Sequence, residues 1–159
     1  MRSILFVCTA NICRSPMAEG VLRKMLANEL FFQEKIEIES VGTHDYQKGK
    51  PPFEAAVAAA KKRGYEIKHL VARPVRPHDL DHFDMVLGMD RANIAHLRTI
   101  APTRCKQKIE LLLAYGDKYH GQDIPDPYGK KAKDYERALD MIEDGCKGLV
   151  ELLTRMPVR

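Results

Sequence analysis

Ser3-Ile4-Leu5-Phe6-Val7-Cys8-Thr9-Ala10-Asn11-Ile12-Cys13-Arg14-Ser15-Pro16 is the stretch on which the fold turns. Ser3 to Val7 form a short, nearly continuous apolar run, the pattern of a parallel strand buried on both faces. Six or seven irregular residues follow. Then comes Ser15-Pro16, a favoured N-cap before a proline that loses no hydrogen bond in a first helical turn. Met17, Val21, Leu22, Met25 and Leu26 recur at helical spacing and carry the helix to about Asn28. Strand, loop and helix in that order is the unit of a parallel α/β sheet.

The rest of the chain repeats the alternation. Ile36-Glu37-Ile38-Glu39-Ser40-Val41 alternates apolar and polar residues and reads as a second strand. A polar loop from Gly42 to Pro52 leads into a helix over Phe53 to Arg63 that stops at Gly64. Met85-Val86-Leu87-Gly88 is a third buried strand, with Asp90 placed to cap a helix over Arg91–Ile100, and Ile109 to Leu113 is a fourth strand. Tyr135, Leu139, Ile142, Cys146, Leu149, Val150 and Leu153 share one face of a long last helix. No repeat, low-complexity segment or linker interrupts the pattern. The expectation is one α/β domain over 1–159, a four-stranded, mostly parallel sheet with helices on both faces.

Composition narrows the function. A chain of 159 residues has room for about one core. Its 30% charged and 45% hydrophobic residues are those of a soluble globule. The formal charge of +4 is lower than a dedicated nucleic-acid binder usually carries, so no nucleic-acid partner is expected. No apolar run approaches the roughly 20 residues that cross a bilayer. Asn11 and Arg14 interrupt the N-terminal apolar stretch too early for a signal-peptide core. A cytoplasmic protein without membrane association is the expectation. In that compartment the four cysteines are read as catalytic, buried or redox-sensing rather than as structural disulfides.

In parallel sheets ligands sit beyond the carboxyl ends of the strands, which nominates the loop Cys8–Ser15. A loop curling from a strand into a helix aims successive backbone N–H groups at one point, and the helix dipole adds positive potential there. Such a concavity suits a phosphate dianion. Arg14 supplies a planar fork for two phosphate oxygens, which a lysine could not reproduce. A cysteine in that field ionises more readily than a free thiol, so Cys8 is read as a nucleophile. Ser15 either donates to Cys8 or caps the helix. Displacing an alkoxide or phenoxide needs a proton donor, and a hydrolase then needs a base to activate water. Asp126, in Ile124-Pro125-Asp126-Pro127-Tyr128-Gly129, is the candidate; alone it reads as a surface turn, and only pairing with the Cys8 loop gives it chemistry.

The run from Cys8 to Glu19, followed far downstream by Asp126-Pro127-Tyr128, resembles the low-molecular-weight protein tyrosine phosphatase family. Ser40-Val41-Gly42, His69, Ala72-Arg73-Pro74-Val75 and Met89-Asp90 resemble family segments in the expected order. The resemblance implies a phosphocysteine intermediate on Cys8, phosphoryl binding by Arg14, and Asp126 as general acid and then base. It also implies phosphate contacts along Thr9, Ala10, Asn11, Ile12 and Cys13. Asn11, Ser40 and His69 would form a hydrogen-bond network holding the loop, and Tyr46 and Tyr128 would wall the substrate ring. It implies phosphotyrosine-containing proteins as partners and neither metal nor organic cofactor; a monomer is expected. Three departures stand out: Ala10 where glycine is common, Tyr46 where some members carry Trp, and Gly129 where vertebrate members have a second Tyr.

The same fold also resembles protein-arginine phosphatases and thioredoxin-linked arsenate reductases. The former typically carry Thr where this chain has Ile12, and an apolar Ile12 suits an aryl ring instead. The latter need two later cysteines close together, whereas Cys105 and Cys146 are far apart in sequence. A module that binds phosphotyrosine without turnover would need neither Cys8 nor Asp126. Cys13 is read either as a small core residue or as the partner that resolves an oxidised Cys8 as a disulfide. Cys146 fits the apolar face of its helix. His78 and His82 read as part of a polar turn or short helix, and the six histidines make no metal framework. Lys61-Lys62-Arg63 and Lys130-Lys131-Ala132-Lys133 read as solvated faces, the second also placed to attract acidic phosphopeptides.

Overall fold

The apolar N-terminal run forms β1 (Arg2–Cys8), buried from Ser3 onward. A computed structural model describes residues 2–29 and 35–155; positions 1, 30–34 and 156–159 of the expected domain lie outside the described residues. After β1 come α1 (Arg14–Ala27), β2 (Ile36–Gly42), α2 (Glu54–Lys62), α3 (Pro77–His82), β3 (Met85–Gly88), α4 (Arg91–Ile100), β4 (Ile109–Leu111) and α5 (Ala132–Arg155). The sheet order is β2-β1-β3-β4 and every pairing is parallel. β1 is therefore an interior strand, which is why both of its faces are apolar.

The faces divide by the alternation of the strand. Ile4, Phe6 and Cys8 join the core beneath α1, α2 and α5, whereas Leu5, Val7 and Val86 pack against Leu80, Ile94 and Leu97 of α3 and α4. Helices cover both faces, as expected. Burying a side chain such as Phe6 or Ile4 in this way contributes ~1.5–3 kcal/mol each.

Two details differ from the sequence expectation. α1 begins at Arg14, with Cys13 at the cap and no side-chain cap bond, so Ser15 lies inside the helix and is not its cap. β4 ends at Leu111 because Leu112–Tyr115 wind into a 3-10 turn that buries Leu112 and Leu113. A continuous apolar run does not distinguish the two conformations. His78 and His82 lie on the short helix α3, their rings 6.0 Å apart.

The carboxyl ends of β1 and β2 are laced together, which sets the shape of the first loop. Thr43 N–H donates to the Cys8 carbonyl at 2.8 Å and His44 N–H to the Thr9 carbonyl at 3.0 Å. Gly42 lies beneath this contact. A Cβ there would stand 2.7 Å from the Thr9 carbonyl oxygen, so the approach requires glycine.

Candidate active site

Cys8 ends β1 and Arg14 begins α1, so the residues between them curl around a single point. Among the described residues no hydrogen bond uses the backbone N–H of Asn11, Ile12 or Cys13. Asn11 is the pivot. Its φ is 59°, a left-handed conformation that Asn tolerates better than most residues. Its Nδ2 donates to Ser15 Oγ at 2.8 Å and to Ser40 Oγ at 3.1 Å, and its Oδ1 accepts from Arg73 N–H at 3.1 Å. Ala10 is not left-handed: among the described non-glycine residues only Asn11 has a positive φ. The departure from glycine at Ala10 therefore costs no strain there.

His69 does not join this network. It is exposed, and the third position about Asn11 belongs to the Arg73 amide. The Arg73 guanidinium is in turn clamped by Asp79 at 2.9 and 3.1 Å and by Glu39 at 3.2 Å. A turn leading into an isolated β-bridge (Gly42 with Pro74) carries Arg73 to the loop, a long-range placement that spacing does not reveal.

Ser15 Oγ stands 3.0 Å from Cys8 Sγ. It accepts from Asn11, and its one proton is shared between Sγ and the Val41 carbonyl at 3.3 Å. Of the two roles open to Ser15, contact with the sulfur is the one realised. Cys8 itself is 3% exposed.

Arg14 is 1% exposed, and so large a buried cation needs partners. Nη1 donates to Asp90 Oδ2 at 2.6 Å and to the Ile124 carbonyl at 2.8 Å. Nη2 is 3.5 Å from Thr9 Oγ1 and 3.8 Å from Asp126 Oδ2. Nε has no partner among the described residues. Burial opposes the charge, but Cys8, Asp90 and Asp126 outweigh it and hold the guanidinium above its ordinary pKa. The edge carrying Nε and Nη2 is thus fixed from behind and presents two donors to an oxyanion.

Cys8, Thr9, Ala10, Ile12, Cys13 and Arg14 line the floor of a cleft of about 160 Å³. Tyr46, Gln47, Asp126 and Tyr128 form its walls. Tyr46 stacks on His44 with ring centroids 4.8 Å apart, and Tyr128 leans on Phe53 at 5.0 Å. Both tyrosines are half or more exposed, an aromatic slot open to solvent above the sulfur. Asp126 Oδ1 accepts from Tyr128 N–H at 3.1 Å, which holds the carboxyl at the rim.

A family model of low molecular weight phosphotyrosine protein phosphatase matches residues 3–158. The chain belongs to that family. It is 39% identical over 153 residues to the low molecular weight phosphotyrosine protein phosphatase of Gallus gallus, across 95% of each chain. It is 37% identical over 150 residues, 94% of each chain, to the low molecular weight protein-tyrosine-phosphatase YfkJ of Bacillus subtilis. A crystal structure of a protein tyrosine phosphatase from Entamoeba histolytica, with Hepes in its active site, superposes with a TM-score of 0.91 at 34% identity over 97% of each chain. The chain is an enzyme, a protein-tyrosine phosphatase.

Sequence reasoning missed several residues of the phosphatase cleft. Gln47 lines it, and Phe53 supports its tyrosine wall. Asp90 does cap α4 through Asn93 N–H at 2.8 Å, yet the same carboxylate anchors Arg14. Asp90 follows the carboxyl end of β3, on the rim where ligands bind, and that position was the available signal. Burial pushes the Cys13 thiol up to about 12, with the Tyr135 hydroxyl 3.9 Å away lowering it in part. Cys105 contacts Asp81 Oδ1 at 3.8 Å, and Cys146 reaches the Ala18 carbonyl at 3.9 Å within the core beneath α5. Lys61 and Lys62 are exposed, but Arg63 is no solvated residue: it joins α2 to Glu136, Asp140 and Glu143 of α5 at 2.7–3.4 Å.

Proposed function

We propose that the whole chain acts as one cytoplasmic, monomeric unit that hydrolyses phosphotyrosine in proteins by two displacements on Cys8. The observation that carries this reading is the convergence of Cys8, Arg14 and Asp126 on one cleft. In the first step Sγ attacks phosphorus, the P–O bond to the tyrosine ring breaks, and the proton of Asp126 passes to the departing phenoxide oxygen. The backbone N–H groups of the loop and the Nε–Nη2 edge of Arg14 hold the equatorial oxygens, where charge concentrates in the transition state. In the second step water attacks the phosphocysteine, its proton goes to Asp126, the S–P bond breaks, and inorganic phosphate leaves. Ser15, 3.0 Å from the sulfur, stabilises Cys8 as attacking and departing group.

Ile12, Tyr46 and Tyr128 favour an aryl leaving group by supplying apolar walls where a guanidinium would need a polar one. Cys13 serves as redox guard: once peroxide has converted Cys8 to a sulfenic acid, the Cys13 thiol condenses with it, forming the disulfide and releasing water. Release of phosphate from p-nitrophenyl phosphate and a phosphotyrosine peptide tests the reading, with the Cys8→Ser protein as blank. Peptide binding by the parent without phosphate release would overturn it. A Cys13→Ser protein that recovers fully after peroxide and reductant would remove the guard.

A further inference from the structure

We propose that the pocket beside the Asp126 loop is an anion subsite that takes an Asp or Glu side chain flanking the substrate phosphotyrosine. This rests on the phosphatase reading of the Cys8 cleft and specifies which phosphotyrosines it prefers. The pocket has a volume of about 220 Å³ and is lined by Pro125, Asp126, Pro127, Lys130, Asp134 and Arg137. Asp126 lines this pocket and the catalytic cleft alike, so the two adjoin across the Asp126 loop. A peptide advances about 3.3 Å per extended residue, so residues close to a phosphotyrosine seated over Cys8 pass beside the second pocket.

The charges there are disposed for an anion. Among the described residues no carboxylate lies within ion-pair distance of Lys130 or Arg137. Arg137 rests its guanidinium 5.9 Å from the centre of the Tyr119 ring, a contact that leaves its N–H donors unused. Lys131 and Lys133 continue the basic run and are exposed. The pocket's two carboxylates each accept a backbone N–H, and neither pairs with Lys130 or Arg137. Asp134 Oδ2 accepts from Lys131 N–H at 3.0 Å. Asp126 accepts from Tyr128 N–H and turns Oδ2 toward Arg14. Pro125 and Pro127 stiffen the wall between cleft and pocket.

The test compares kcat/KM for two phosphotyrosine peptides that differ only in Glu against Gln on the flanks, with p-nitrophenyl phosphate alongside. The Glu peptide is expected to be favoured about fivefold at low salt, as two exposed ion pairs allow, and less so at about 0.5 M salt. The ratio should fall toward one in the Lys130→Ser/Arg137→Ser protein and invert in Lys130→Glu. Because both peptides are read in the same protein, any change in overall turnover cancels. Lys61→Glu/Lys62→Glu, on exposed α2, controls for net charge. An unchanged ratio in the Lys130/Arg137 variants, an equal shift in the Lys61/Lys62 control, or a parent ratio of one would overturn the subsite while leaving the phosphatase intact. No phosphate from any of the three substrates would overturn both readings.

Discussion

At the scale of single residues the phosphatase separates side chains that do chemistry from those that hold them. Asp126 is the acid of the proposed mechanism: it sits at the rim with its side chain 48% exposed, held among the described residues by Tyr128 N–H and Arg14. Asp126→Ala should therefore fold normally and lose about a hundredfold in kcat on a phenyl ester with a poor leaving group. The loss should be smaller on p-nitrophenyl phosphate, whose phenoxide needs less protonation; equal losses across a leaving-group series would remove Asp126 from the role of acid. Cys13 makes a different prediction. Its folded pKa, pushed up to about 12, lies above the unfolded value. Its contribution to stability is then present below about pH 9 and is lost as pH rises toward the folded value. Urea unfolding between pH 9 and 11 should show stability declining with pH. In Cys13→Ala the slope should be shallower by up to about 1.4 kcal/mol per pH unit, and an identical slope would count against a buried, protonated Cys13.

Among elements, the important relation is the one between the loop after β1 and the segments that clamp it. Asn11 satisfies Ser15, Ser40 and the Arg73 amide from a left-handed backbone, so two variants can divide its roles. Asn11→Gly loses the side-chain bonds but removes the Cβ that the left-handed region disfavours, whereas Asn11→Ala loses the same bonds and keeps a Cβ there at ~1–2 kcal/mol. Thermal unfolding should rank parent above Gly above Ala, and kcat should fall in both, since the proposed phosphate cradle is the same backbone. A Gly variant with parental kcat would show that the network is not needed to shape the cradle. The strand–loop–helix order and Asn11 itself were legible in the sequence because they are local. Arg73 as the partner, in place of His69, was not: it depends on where the chain returns after α2. The apolar run at Leu111-Leu112-Leu113 likewise ended as a strand sooner than its composition suggested, since burial against α5 suits either conformation.

In the molecule as a whole, α5 is the element that closes the core on the side of α1 and α2, and it is set by two close approaches. A Cβ at Gly148 would overlap the Tyr115 carbonyl oxygen, and one at Gly145 would stand 2.7 Å from Leu112. Gly148→Ala should destabilise the protein by about 3 kcal/mol, because backbone rather than a flexible side chain must give way. Unchanged urea midpoints would mean that α5 docks less tightly than described. Arg63 adds a second tie, joining α2 to three carboxylates of α5. The sequence by itself determined the alternation of strands and helices and the buried character of β1, and it singled out Cys8, Arg14 and Asp126, which the fold brings to one cleft. Those follow from apolar periodicity and from chemical types that few other functions require together. Only the tertiary structure decided that Asp90 anchors Arg14, that Arg73 supports Asn11, that Gln47 and Phe53 complete the cleft, and that a basic pocket adjoins Asp126. The reason is physical: a buried charge or a strained turn is stabilised by whichever group packing brings within about 3 Å, and sequence spacing carries no record of that distance.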